Sequence, residues 1–169
     1  MNEDVTEETN RLIFVCTGNF YRSRLAELLF NHYAAPLGLR WRAESRGLMV
    51  SGRLHGMASE ARTFAEAHGL AVPDRSPLPL LVDELAEAKL VVLMCRAEHE
   101  PMMEREFRPL FRALVSRGAL RSWNVYDMPG PRAAWGAEPA PSQPCVSSTE
   151  HIDFAVRALV AELAGQENA

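Results

Sequence analysis

Long apolar runs are missing from this sequence. None approaches the ~20 residues needed to cross a bilayer, so no membrane span is expected. Cysteine is scarce: Cys16, Cys95 and Cys145 are an odd number, with no C-x2-C pair and no disulfide-framework spacing. That usage suits a reducing, cytoplasmic setting. Lysine is almost absent, since Lys89 is the single lysine among 18 basic residues. The basic residues are scattered, there is no Lys/Arg block, and the formal net charge is −4, which argues against a nucleic-acid partner. The first eight residues, Met1 to Glu8, are acidic where a secretory signal would be basic and then apolar. Residues 1–10 therefore read as a disordered tail. No internal repeat and no second domain are visible.

What is present fits one globular domain over residues 11–165. The chain has 169 residues, 47% hydrophobic and 24% charged, long enough to bury a substantial core. Arg11 to Cys16 is a short apolar run rich in branched and aromatic residues, the pattern of a buried strand. Leu25, Leu28, Leu29 and His32 then recur at helical spacing, and Pro36 with Gly38 ends that helix. Leu39 to Ser45 reads as a second strand. Leu54, Met57, Ala58, Ala61, Phe64, Ala65 and His68 form a second helical stripe, with Gly69 as its stop signal.

Pro73 to Pro79 reads as a loop and Asp83 to Ala88 as a short helix. Leu90 to Met94 is the strongest strand signal. Ala97 to Leu114 is expected to be helical with a break near Pro109, and Trp123 to Tyr126 to be the fourth strand. A Pro/Gly/Ala/Ser stretch over 128–148 has no periodicity and is long for an internal loop. Ser147 and Glu150 offer a capping box to a last helix whose buried face is Ile152, Val156, Leu159, Val160 and Leu163. Residues 165–169 are expected to fray. Strands alternating with helices predict an α/β, Rossmann-like three-layer sandwich: a four-stranded parallel sheet with helices on both faces. Ligands of such sheets bind beyond the carboxyl ends of the strands, where Cys16 and Asp127 both fall.

The segment Cys16-Thr17-Gly18-Asn19-Phe20-Tyr21-Arg22-Ser23 carries the chemistry. A Cys ends a buried strand, and an Arg six positions on begins a helix. Backbone N–H groups of a tight loop and of a helix N-terminus can converge on a phosphate. Gly18 and Asn19 tolerate the positive φ such a loop needs. Arg22 can grip two phosphate oxygens side by side. The same positive field favours a thiolate at Cys16, and Ser23 can donate a hydrogen bond to it.

These residues resemble the low-molecular-weight protein-tyrosine-phosphatase family and its arsenate-reductase relatives. The resemblance rests on Val15-Cys16-Thr17-Gly18-Asn19, Arg22-Ser23 and Ala26-Glu27. It continues with Ser45-Arg46-Gly47 against a family Ser-Ala-Gly, Asp74-Arg75-Ser76 against His-Arg-Ser, the apolar strand ending at Met94, and Glu98-His99. It implies that Cys16 attacks phosphorus and forms a cysteinyl-phosphate. It implies that Arg22 and the amides of Thr17 to Arg22 stabilise the transition state. It makes Asn19, Ser23 and Ser45 the residues that hold the loop in shape, and it calls for no metal and no cofactor. The implied partner is a phosphorylated protein or a small aryl phosphate, acted on by a monomer or weak dimer.

The family also uses an Asp-Pro pair after the fourth strand as general acid. Aligning on Asn124-Val125 makes Asp127 the acid; aligning on Gly130-Pro131 puts a glycine there. Asp127 is preferred as the carboxylate within reach. Several positions depart from the family. Tyr21 replaces a second loop cysteine, Arg24 a loop proline, and Asp74 the loop histidine that supports Asn19. Phe20 takes the variable loop position, where relatives acting on phosphoarginine tend to carry Thr and tyrosine phosphatases an apolar residue. Phe20 thus favours an aromatic phosphoester, with Trp41 and Trp135 as further candidate pocket walls. An arsenate reductase is the main alternative; it needs further redox thiols, and Cys95 and Cys145 lie far apart in the chain. A non-catalytic phosphate-binding relative is the third.

Overall fold

The computed structural model describes residues 9–127 and 147–168. Among these residues four strands form one parallel sheet: β1 (Asn10–Cys16), β2 (Trp41–Gly47), β3 (Leu90–Leu93) and β4 (Leu120–Ser122). Their order is β2-β1-β3-β4. The chain leaves β1 toward β2 on one side and later returns to place β3 on the other. That reversal opens a crevice at the carboxyl end of β1.

Among the described residues six α-helices cover the sheet. They are α1 (Arg22–Ala34), α2 (Ser59–Ala67), α3 (Val82–Glu87), α4 (Arg96–Glu106), α5 (Arg108–Ser116) and α6 (Ser148–Glu167). The alternation along β1 assigns each layer. Leu12, Phe14 and Cys16 pack in one apolar cluster with α1, α2 and α6, while Ile13 and Val15 face a second cluster with α3, α4 and α5. Successive side chains of a strand point to opposite faces, so one apolar run serves both layers. The three-layer α/β sandwich is as expected.

Most elements follow their sequence signals. Ser147 caps α6 through a reciprocal box with Glu150, and its five predicted apolar positions are all buried. The helical stretch after β3 breaks at Phe107, with Pro109 in the first turn of α5, where its missing N–H costs nothing. Among the described residues no helix is long and apolar enough to cross a membrane.

Some boundaries differ. Asn10 already pairs with Trp41 and belongs to β1, not to a tail; residues 1–8 lie outside the described residues. β2 starts at Trp41 rather than Leu39, because Leu39 N–H still closes the preceding helix through Ala34 O at 3.4 Å. α2 begins only at Ser59: Gly56, at φ 71°, interrupts the helical spacing of Leu54, Met57 and Ala58. His32 and His68 are exposed, and Phe30 and Ala26 complete the buried face of α1. α6 continues to Glu167 instead of fraying at 165.

The fourth strand is Leu120–Ser122, not Trp123–Tyr126. Its position is set by pairing with Val91 to Leu93, which a short, half-polar edge segment does not advertise. Residues 123–126 run on in extended form. Trp123 N–H donates to Leu93 O and Val125 N–H to Met94 O, both at 2.8 Å. This continuation carries the chain past the end of β3 and delivers Asp127 to the crevice.

Candidate active site

The loop from Thr17 to Tyr21 joins β1 to α1 at the crevice. Tyr21 supplies no side-chain cap, and the first turn of α1 holds no acidic residue. The helix N-terminus is thus left open to an anion. Asn19 takes a left-handed φ of 49°, which its short amide side chain tolerates better than most residues.

Cys16 lies at the floor, nearly fully buried. Its Sγ is 3.0 Å from Ser23 Oγ and accepts the Asn19 N–H at 3.3 Å. Asn19 is the hub of the loop. Its Nδ2 donates to Ser23 Oγ at 3.0 Å and to Ser45 Oγ at 2.9 Å. Its Oδ1 accepts from Leu78 N–H at 2.9 Å and from Arg75 Nη1 at 3.2 Å. The three loop-support residues expected from the sequence, Asn19, Ser23 and Ser45, therefore form one network, and all three are fully buried.

Two further residues complete that network. Ser45 Oγ donates to Glu27, and Arg75 Nη2 donates to Glu27 Oε2 at 2.9 Å and to Ser45 Oγ at 3.1 Å. Asp74, at the family's histidine position, takes no part. It is exposed and pairs with His55 at 3.1 Å. The support passes one residue along to Arg75. Glu27, part of the Ala26-Glu27 match in the sequence, lies one helical turn beyond Ser23 on the same face of α1, which brings it to this network.

Gly47, at the end of β2, backs the loop. A Cβ there would meet Asn19 N and Thr17 O at 2.9 Å each and Val50 Cγ2 at 2.7 Å. Arg24, where the family has a loop proline, is buried with its guanidinium on the carbonyls of Gly56, Arg75 (2.9 Å) and Pro73 (3.1 Å). Burial, then the neighbouring Arg75 charge, push its pKa down to about 10. It ties α1 to the two loops that flank the cradle.

Arg22 is 3% exposed. Its Nη1 donates to Val125 O at 3.0 Å and its Nη2 to Glu98 Oε2 at 2.9 Å; Asp127 Oδ2 is 3.8 Å from the same Nη2. Burial works against the guanidinium charge, but the Glu98 hydrogen bond and the negative charge at Cys16, Glu98 and Asp127 more than offset it and raise its pKa. Glu98 lies in the first turn of α4, as the Glu98-His99 match implies, and its contact with Arg22 arises only in the fold.

His99, the next residue, is matched in the sequence only beside Glu98, and its contacts come from the fold. It is fully buried, with Nδ1 accepting from Cys95 N–H at 2.9 Å and Nε2 3.2 Å from Thr17 Oγ1. With Nδ1 an acceptor, the neutral ring donates from Nε2 to the Thr17 hydroxyl. Burial, then the Arg22 charge, push its pKa down to about 3, so the ring is neutral around the cradle.

Phe20 is half-buried on the loop, and its carbonyl accepts from Ala58 N–H at 2.9 Å. Thr17 and Gly18 are half-exposed at the mouth. Tyr21 is buried, and its hydroxyl has no hydrogen-bond partner of normal geometry among the described residues. Burial, then the Glu60 charge, push its pKa up to about 12; Ser148 and Glu60 influence it from nearby without closing a bond. Trp41 is no wall of this site. It pairs with Asn10 at the start of β1, whereas Cys16 pairs with Gly47. Six strand residues, ~20 Å, separate the two ends. Trp135, Cys145 and residues 128–146 lie outside the described residues. The aromatic next to Asp127 in sequence is the exposed Tyr126.

A buried thiol at the end of a strand and a buried guanidinium at the start of the next helix flank one loop at the carboxyl edge of a parallel α/β sheet. Residues 11–126 match the low molecular weight phosphotyrosine protein phosphatase family, and the chain belongs to that family of phosphatases. A protein-arginine-phosphatase of Bacillus subtilis is 32% identical over 96 residues, which span 57% of this chain and 62% of that protein, less than two thirds of its length. The crystal structure of a YwlE mutant from Bacillus subtilis covers 95% of this chain and 99% of its own, with TM-score 0.65 and 21% identity. A thioredoxin-dependent arsenate reductase of Corynebacterium glutamicum covers 94% of this chain and 64% of its own, with TM-score 0.61 and 18% identity. At these identities the two structures establish the shared fold.

Proposed function

We propose that this chain hydrolyses aryl phosphate monoesters, phosphotyrosine in proteins among them, through a cysteinyl-phosphate on Cys16. The observation that carries the reading is the setting of the Cys16 sulfur, 3.0 Å from Ser23 Oγ and 3.3 Å from the Asn19 amide at the base of a loop that also holds Arg22. In the first step the Cys16 thiolate bonds to phosphorus as the ester P–O bond breaks. Asp127 protonates the departing oxygen. In the second step water bonds to phosphorus, gives a proton to Asp127, and the P–S bond breaks. Ser23 and the Asn19 amide stabilise the thiolate that returns, and Arg22 with the loop amides carries the phosphoryl charge in both steps.

Two features support aryl substrates, the half-buried Phe20 on the loop and the exposed Tyr126 next to Asp127 in sequence, and Asp127 at 3.8 Å from Arg22 supports its role as the acid. A second reading is hydrolysis of phosphoarginine, favoured by the 32% identity to a protein-arginine-phosphatase. Arsenate reduction is less well supported. Cys95 is buried, burial pushes its thiol pKa up, and its backbone is tied into the end of β3.

The test is a direct assay of p-nitrophenyl phosphate, phosphotyrosine, phosphoserine and phosphoarginine peptides, with Cys16→Ser as control. Cys16-dependent turnover of the first two is expected. Turnover confined to phosphoarginine would favour the second reading, and turnover that survives in Cys16→Ser would remove the mechanism.

A further inference from the structure

The carboxylate of Glu98 occupies an unusual place for a site that must take in a dianion. It lies 2.9 Å from Nη2 of Arg22, the cation expected to grip the phosphoryl group. Arg22 is 3% exposed and Glu98 36%, so the carboxylate is the more solvent-accessible partner of the pair. Asp127 adds a second carboxylate 3.8 Å from the same nitrogen, 67% exposed. Before any substrate binds, the Arg22 charge is therefore already faced by the carboxylates of Glu98 and Asp127. A phosphate monoester brings up to two more negative charges within a few ångströms of Glu98. At that separation, in a partly buried site, salt screens poorly.

We infer that Glu98 is a specificity-determining residue, selecting substrates that carry a positive charge beside the phosphoryl group and disfavouring those that carry a negative one. The inference rests on the phosphatase reading above and concerns its substrate. A cation next to the phosphoryl group restores the balance that the incoming dianion upsets: it pairs with Glu98 while the phosphate takes the remaining donors of Arg22. In a protein substrate that cation is an Arg or Lys side chain adjoining phosphotyrosine. Discrimination of this kind works as much by repelling the wrong partner as by attracting the right one.

Two plainer roles compete. A carboxylate in the first turn of α4 suits the helix dipole, and one beside Arg22 can simply orient its guanidinium together with the Val125 carbonyl. Glu98→Gln separates them from the inference. A glutamine keeps an oxygen that can accept from Nη2 and loses only the charge.

The experiment compares kcat/KM of the wild-type chain and Glu98→Gln on three phosphotyrosine peptides of equal length. Their flanking residues are Arg, Gln or Glu. A phosphoarginine peptide forms a fourth arm, since a phosphorylated guanidine holds its cationic group against phosphorus. The expected wild-type order is Arg above Gln above Glu, with about a tenfold spread. In Glu98→Gln the spread collapses, chiefly through faster turnover of the Gln- and Glu-flanked peptides. An equal fall on all peptides, with the spread intact, would make Glu98 a positioning residue only and overturn the inference. So would a wild-type enzyme indifferent to the flanking charge. Preference for phosphoarginine that also collapses in Glu98→Gln supports the inference with a different cation source. Absence of any Cys16-dependent turnover would overturn the phosphatase reading and this inference together.

Discussion

Nη1 of Arg75 lies 3.2 Å from Oδ1 of Asn19, so a loop 56 residues downstream holds the left-handed corner of the phosphate cradle. Arg75 also reaches Glu27 and Ser45, which places one guanidinium over three members of the buried network. This charge-assisted contact supports Asn19 in place of the family's loop histidine, whose position is Asp74 here.

Arg75→Met should loosen that corner. It removes hydrogen bonds to Asn19 and Ser45 and leaves the partly buried Glu27 without its cation. The expected loss is about 2 kcal/mol of stability, of the order seen for charged hydrogen bonds. Urea unfolding measures it, and kcat/KM on p-nitrophenyl phosphate should fall by about tenfold as Asn19 loses its orientation. Asp74→Ala, by contrast, should change stability by no more than about 0.5 kcal/mol, as an exposed site does. Equal effects of the two substitutions would return the support role to position 74.

Gly47→Ala tests the back of the cradle. The new methyl would press on Asn19 N and Thr17 O, both backbone atoms that cannot rotate away, as well as on Val50. Overpacking of this kind costs about 1–3 kcal/mol. Because the strain falls on the phosphate loop itself, affinity for inorganic phosphate as a competitive inhibitor should weaken along with stability. A variant with native phosphate affinity would show that the loop yields at no cost.

The fold was largely legible because its signals are short-range. The apolar run of β1, the stripe of α6 with its Ser147–Glu150 box and the stop at Pro36–Gly38 are each written in adjacent residues. The cradle was legible too, since Cys16 to Ser23 is contiguous. What was hidden depends on contacts between distant segments. Nothing near Arg75 marks it as the partner of Asn19, and Glu98 and His99 reach Arg22 and Thr17 only because β3 lies next to β1 in the sheet. The weak edge strand β4 was misplaced by three residues because its register comes from β3 rather than from its own composition. Trp41 was misjudged for a similar reason: an aromatic near a strand looks the same in sequence whichever end of the sheet it occupies.

His99 should make stability depend on pH. Its pKa is about 3 in the folded chain against an ordinary 6.5, so below 6.5 the unfolded chain binds a proton that the folded chain refuses. The stabilisation linked to this residue is complete above about pH 6.5 and is lost as pH falls toward 3. His99→Gln keeps a side chain able to donate to Thr17 and removes the titration. Urea midpoints measured at about pH 7 and pH 5 should therefore drop less in the variant than in the wild type. An identical drop in both would mean that other groups carry the acid sensitivity.

Asp127→Ala bears on the proton rather than on the phosphate. If Asp127 delivers a proton to the leaving oxygen, its removal matters most where that oxygen leaves poorly as an anion. The loss in kcat/KM should be about 10²–10³-fold for phenyl phosphate, within the range of general acid catalysis. For p-nitrophenyl phosphate, whose leaving group departs readily without a proton, the loss should be several-fold smaller. The contrast matters because Asp127 is also near Arg22, at 3.8 Å, and an electrostatic effect on phosphate binding would weaken both substrates alike. Equal losses would assign Asp127 to the Arg22 charge balance, and no loss on either substrate would leave the proton to water.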